Sequence, residues 1–205
     1  MEICTINIKS QYKMKNLFKI IATVVVSFMT FSFTNMGEVK KEVNTQASMV
    51  TWKGYKVLGS HTGNIKISSG SLIFEKNVLT GGSFIIDMTT INVTDLEGDY
   101  KNKLEGHLKS DDFFGVEKHT ESSLEFTKIK STGKNSYKVI GVIEIKGKKE
   151  NISFDFSVYG NKANATLKID RSKFDVRYGS TSFFEGLKDN AIYDEFDIIV
   201  DLEFL

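Results

Sequence analysis

The chain is predicted to be all-β with one or two short helices, folded as an eight-stranded antiparallel barrel. Three observations predict it. Stretch after stretch alternates apolar and polar residues, as a strand with one buried face does. The breaks between those stretches are short, and with proline absent they rest on Gly, Asn, Asp and Ser. A single internal segment, Thr94–Val116, changes to a helical period. About eight strands with short turns suit either a sandwich or a closed barrel. Closure is preferred because it removes the exposed edges of an aromatic-rich sheet, and eight strands leave width for a slender ligand.

In order, Met49–Val57 is a first strand carrying Trp52 and Tyr55. His61–Ile67, a Ser68–Ser71 turn and a short strand Leu72–Glu75 follow. Lys76-Asn77 is a turn, and Ser83–Val93 is a long strand with Phe84, Ile86 and Met88 on one face. Thr94 with Glu97 forms a capping-box pattern. Leu96, Tyr100, Leu104 and Leu108 then make an apolar stripe, expected to pack on the barrel as a lid or plug. Glu97, Lys101, Glu105 and Lys109 form a second, charged stripe expected to face water.

Beyond the helix, Ser122–Lys130 alternates through Leu124 and Phe126. Tyr137–Lys146 places Tyr137, Val139, Gly141, Ile143 and Ile145 on one face. A turn at Gly147–Glu150 leads into Ile152–Tyr159, with Ile152, Phe154, Phe156 and Val158 in register. Asn164–Arg171 is the next strand, Ser180–Leu187 a loop or helical turn, and Ala191–Leu205 the last strand. One-sided alternation of this kind belongs to antiparallel sheet with a wet outer face.

The N-terminus divides from this domain. Residues 1–34 comprise upstream residues and a signal peptide. Met14–Lys19 is a basic start, and the apolar run Ile20–Phe33 is shorter than the roughly 20 residues of a membrane span. An uncleaved anchor is the competing reading. Residues 35–48 are expected to be a flexible lead-in and residues 49–205 the barrel domain. The single cysteine, Cys4, lies upstream of the leader, so the exported chain would carry no disulfide. Periplasmic or secreted location is the expectation.

Composition narrows the chemistry. A net charge of +1 without a long basic run argues against a nucleic-acid partner. His61, His107 and His119 have no metal-ligand spacing, so no metal is expected. His107 stands nearest the apolar stripe of the helix, and polar support at turns is the ordinary role for all three. Asp111-Asp112 are adjacent and point apart, which suits a turn cap better than acid–base work. No phosphate loop or nucleophile elbow is present, and no catalytic residue or cofactor is expected.

Binding is the better class. An apolar chain needs an apolar cavity with few polar groups. Phe84, Phe113, Phe114, Phe154, Phe156, Phe183 and Phe184 are the candidates to line or gate one, against the alternative that they are ordinary barrel core. Arg171 is the candidate polar anchor for a head group; its other reading is an ion pair with Asp112 or another carboxylate of the helical segment.

Several motifs in order carry a resemblance. They are Trp52 with His61-Thr62-Gly63, Gly81–Phe84 leading to Asp87-Met88, and Leu104 with His107–Ser110 and Asp112–Phe114. Gly141–Gly147, Ile169–Ser172, Arg177–Ser180 and Phe183-Phe184 complete the set. From about Thr51 to Leu205 the chain resembles the YceI-like family of secreted, lipocalin-like barrels associated with polyisoprenoid and other long lipids. Its Arg-Tyr-Gly-Ser variant is similar to a branch found in Bacteroidota. The resemblance implies a long-chain apolar lipid as partner, held in the interior, and admits a homodimer and transient membrane contact. A filled barrel acting through its surface is the alternative.

Overall fold

A computed structural model describes residues 37–205. The strands are β1 (Glu38–Glu42), β2 (Met49–Lys56), β3 (Gly59–Glu75), β4 (Val78–Val93), β5 (Glu121–Gly133), β6 (Ser136–Ile145), β7 (Lys148–Tyr159), β8 (Lys162–Asp170) and β9 (Glu195–Glu203). One α-helix, α1 (Gly98–Lys109), joins β4 to β5. β2 to β9 follow each other around the sheet, and the β3–β4 pairing closes it as an eight-stranded antiparallel barrel. The predicted fold class is the observed one. The leader lies outside the described residues.

Alternation places the core. Tyr137, Val139, Ile143 and Ile145 of β6 are buried, as are Phe154, Phe156 and Val158 of β7 and Ala163, Ala165, Leu167 and Ile169 of β8. The intervening residues of β8 are exposed along most of its length. The β3–β4 and β6–β7 turns use positive φ at Lys76 and Asn77, and at Lys146 and Gly147. Two-residue connections of this hand match the twist of paired strands.

Three expectations are corrected. Ser68–Ser71 is no turn: β3 runs through it with a bulge between Ile67 and Ser69. The bulge moves the buried set from Ile65 and Ile67 to Leu72 and Phe74, so both halves of one strand face inward. Glu38–Glu42, placed in the flexible lead-in, is a strand beside β3. Val43 N–H donates to the Gly70 carbonyl, and Val43 bridges Phe204, so this segment extends the wall between β3 and β9. The last strand begins at Glu195 rather than Ala191, because Ile192 and Tyr193 are committed to other contacts.

The helix differs most. Its N-cap is Glu97, with no side-chain capping bond, while Thr94 bonds the Thr62 carbonyl instead. Tyr100 is 75% exposed, so the apolar stripe does not dock as a unit. The charged stripe supplies the attachment. Glu105 Oε1 accepts from Val93 N–H at 2.8 Å, and Lys101 Nζ donates to Asn92 Oδ1 at 2.9 Å. The last residues of β4 leave backbone and amide groups without ladder partners, and these two side chains satisfy them.

Gly63 shows how closely the elements approach. A Cβ there would collide with the Asn92 carbonyl oxygen and the Trp52 ring. Gly63→Ala is therefore expected to lower the unfolding free energy by about 1–3 kcal/mol, read as an earlier urea midpoint at unchanged m-value. Gly54→Ala, where a Cβ meets nothing within 4 Å, is the control and should leave the midpoint nearly in place.

Candidate functional site

The two ends of the barrel are filled differently. At the end formed by the β3–β4, β5–β6 and β7–β8 turns, Leu72, Leu79, Val139, Ala163 and Phe204 are each at most 3% exposed and pack solidly. None of them borders a cavity. The other half, toward α1, encloses an apolar cavity of about 190 Å³. Its wall comes from β2–β9, from Leu108 of α1 and from the Phe113-Phe114 segment that follows. The space is thus blind at one end.

Six of the eight predicted site residues line it: Phe84, Phe113, Phe114, Phe154, Phe156 and Arg171. Phe126 sits among them with ring centroids 5.6 Å from Phe84, 5.6 Å from Phe154 and 5.5 Å from Phe156. Such tilted and edge contacts let bulky rings share a wall without stacking flat. Phe126 was legible as an inward residue of its strand. Trp52, Ser122, Phe196 and Ile198 also line the cavity, and only strand parity pointed to them.

Phe183 and Phe184 are corrected. They are 39% and 49% exposed and stand outside the cavity. The Ser180 backbone carbonyl accepts from both their N–H groups in a tight turn, and the Phe183 ring lies against the Arg177 guanidinium at 5.0 Å. The turn geometry turns the pair away from the barrel interior.

Arg171 is 2% exposed and already spoken for. Its Nε donates to the Tyr193 carbonyl at 3.1 Å. Nη1 donates to Val176 and Tyr178 carbonyls at 2.9 and 2.8 Å, and Nη2 to the Ile192 carbonyl at 2.9 Å. Asp194 Oδ1 lies 3.4 Å from Nη2, which makes Asp194, not Asp112, the ion-pair partner. The guanidinium also sits over the Phe113 ring at 5.4 Å. Burial pulls its pKa below the ordinary arginine value, opposed by Asp194 and Asp170. Four carbonyls drawn from two loop segments explain why only a forked, five-donor side chain serves here.

Lys146 does similar work nearby. Its Nζ donates to the Phe113 carbonyl at 2.8 Å and the Asp111 carbonyl at 3.0 Å, pinning the aromatic segment to the β6–β7 turn. Asp111 is exposed and accepts from Lys118 Nζ; that hydrogen bond, with the ammonium charge, holds its carboxyl below the usual range. The adjacent aspartates are turn residues. His61 contacts Asp95, whereas His107 packs edge-on against Tyr178 and Phe113. Among the described residues no group of three or more His, Cys, Asp or Glu converges on a metal position.

Fold and cavity define a hollow, closed antiparallel barrel of the lipocalin-like kind. The chain belongs to the YceI-like family: the YceI-like domain model matches residues 41–204. The match reaches the family and not a branch within it. Among solved structures it is similar to Burkholderia cenocepacia BcnA, with 21% identity and a TM-score of 0.64 over 78% of this chain and 98% of that one. A polyisoprenoid binding domain from Saccharophagus degradans, implicated in plant cell wall breakdown, is 12% identical with a TM-score of 0.58. That likeness covers 80% of this chain and 97% of the other. No curated protein matches the chain.

Replacing Arg171 with Met would leave four carbonyls and Asp194 without their partner. The expected cost is about 3–5 kcal/mol, as for breaking a buried ion pair, measured by urea unfolding. Arg171→Lys should recover only part of it, since one ammonium cannot span these carbonyls.

Proposed function

We propose that the protein is exported and holds one long-chain isoprenoid or fatty lipid, tail inward, in the barrel cavity, without catalysing a reaction. The observation that carries this reading is the blind apolar cavity of about 190 Å³ in a barrel whose other half is solid. A barrel acting only through its surface has no use for such a space. Well-packed interiors leave few voids larger than a water molecule, because each forfeits contacts. The likeness to a polyisoprenoid binding domain from Saccharophagus degradans supports the same class of ligand.

The volume sets how much of a chain is buried. The cavity is smaller than the roughly 300–1,000 Å³ of sites for drug-sized ligands. A methylene taken from water contributes about 0.8 kcal/mol. Roughly ten of them therefore reach the 8 kcal/mol of micromolar binding, before ordering costs.

Solvent extraction of purified protein followed by mass spectrometry should yield a long-chain apolar molecule at near-stoichiometric amount. Ala165→Trp, which places a ring in the cavity from β8, should reduce the bound lipid at least tenfold while far-ultraviolet circular dichroism keeps the β signal. Wild-type protein that is empty and takes up no supplied long-chain probe would refute the proposal. Cell fractionation tests export, and full-length protein retained in the cytoplasm would count against it.

A further inference from the structure

Two polar atoms on the cavity wall have no partner. Trp52 Nε1 and Ser122 Oγ are both buried, neither makes a hydrogen bond, and both residues line the cavity. Ser122 is 7% exposed and shares the inward parity of Phe126 on β5. Trp52 shares that of Val50 on β2, its ring lying over the bare backbone of Gly63. A buried donor left unsatisfied costs about 1–3 kcal/mol. Either residue could have been apolar without disturbing the ladder, because the orphaned atoms belong to side chains. A trapped water would need two to four polar partners, and the wall around it is otherwise almost wholly aliphatic and aromatic.

The single charged residue on that wall is Arg171; four of its N–H groups bond protein carbonyls, and its charge is paired with Asp194, whose Oδ1 lies 3.4 Å from Nη2. A carboxylate or phosphate drawn inside would meet no free cation. Trp52 donates only, and a serine hydroxyl donates or accepts. Resting on the lipid-carrier reading above, we infer that the cavity selects an apolar chain bearing an uncharged oxygen acceptor, such as a ketone, ester or hydroxyl, received by Trp52 Nε1 or by Ser122 Oγ. Plain hydrocarbons and chains whose only polar group is ionised are the disfavoured classes.

The test is a competition between dodecan-2-one and dodecane for full-length, delipidated protein, with bound ligand extracted and quantified by gas chromatography. The two probes share a chain and differ by one carbonyl oxygen. Wild-type protein is expected to retain the ketone over the alkane by about tenfold after correction for their water solubilities, the ratio equivalent to one hydrogen bond of 1.4 kcal/mol. Trp52→Phe and Ser122→Ala should each lower that ratio, and the double variant should bring it near one through loss of bound ketone. Trp52 is the sole tryptophan, so its emission in wild type and in Ser122→Ala should respond to the ketone more than to the alkane. A wild-type ratio near one, or a preference that survives in the double variant, overturns the inference while leaving lipid carriage intact. Failure to bind either probe overturns the carrier reading itself.

Discussion

The buried guanidinium of Arg171 is the interaction on which the hollow half of the barrel depends. It leaves β8 in a short 3-10 turn, Arg171–Phe174. From there it ties Val176 and Tyr178 on one side to Ile192 and Tyr193 on the other. The intervening chain has to return to start β9, guided only by an isolated bridge between Lys56 and Ile192. Removing an arginine from water is costly unless its donors are all engaged. Once engaged, the arrangement tolerates few alternatives. Phe113 lies against the same guanidinium, so one side chain fixes the loops and a piece of the cavity wall together.

That fixed frame explains how a barrel can be solid at one end and hollow at the other. Within an eight-stranded barrel the inward side chains normally fill the space. Here the solid half is filled by residues from all around the barrel, including Phe74, Tyr137 and Phe204. In the hollow half the aromatic rings stand edge to face along the wall, with Phe126 in contact with three others. Rings locked by each other cannot collapse inward. Ala165 is small where a larger side chain would reach across, and Gly54 contributes none. The emptiness is held by side-chain rigidity, backed by the loops that Arg171 and Lys146 anchor.

Period-two alternation made most of this legible in the sequence. It identified the inward faces of β6, β7 and β8 residue by residue, and so brought Phe154 and Phe156 to the right place. It failed where geometry departs from a plain strand. The bulge after Ile67 looked like a turn because Ser-Ser-Gly-Ser suits both. Glu38–Glu42 carries no apolar alternation, since it closes a gap by backbone bonding rather than by burying side chains. Arg171 was recognisable as a buried cation, but its true partners are mostly backbone carbonyls, which leave no mark in residue identity. Phe183-Phe184 looked like Phe113-Phe114 as a dipeptide. The difference lies in the turns that carry them, one pinned inward by Lys146 and the other wound around the Ser180 carbonyl.

The helix shows why pattern and role can separate. A stripe of leucines at fourfold spacing suggests a docked face, yet α1 has no buried residue. Its most intimate contacts are the carboxylate of Glu105 on a backbone N–H and the ammonium of Lys101 on an amide oxygen. Polar links of this kind contribute on the order of 1–3 kcal/mol where a charge is involved. They specify position well, and they can be exchanged for water without leaving a void. Leu108 alone carries α1 to the cavity wall. The helix thus meets the core through Leu108 and through the His107 ring against Phe113, and it supplies part of the cavity's closure. That part of the wall is a helix laid on the sheet by polar links to β4 and by Leu108, not a strand of the barrel itself.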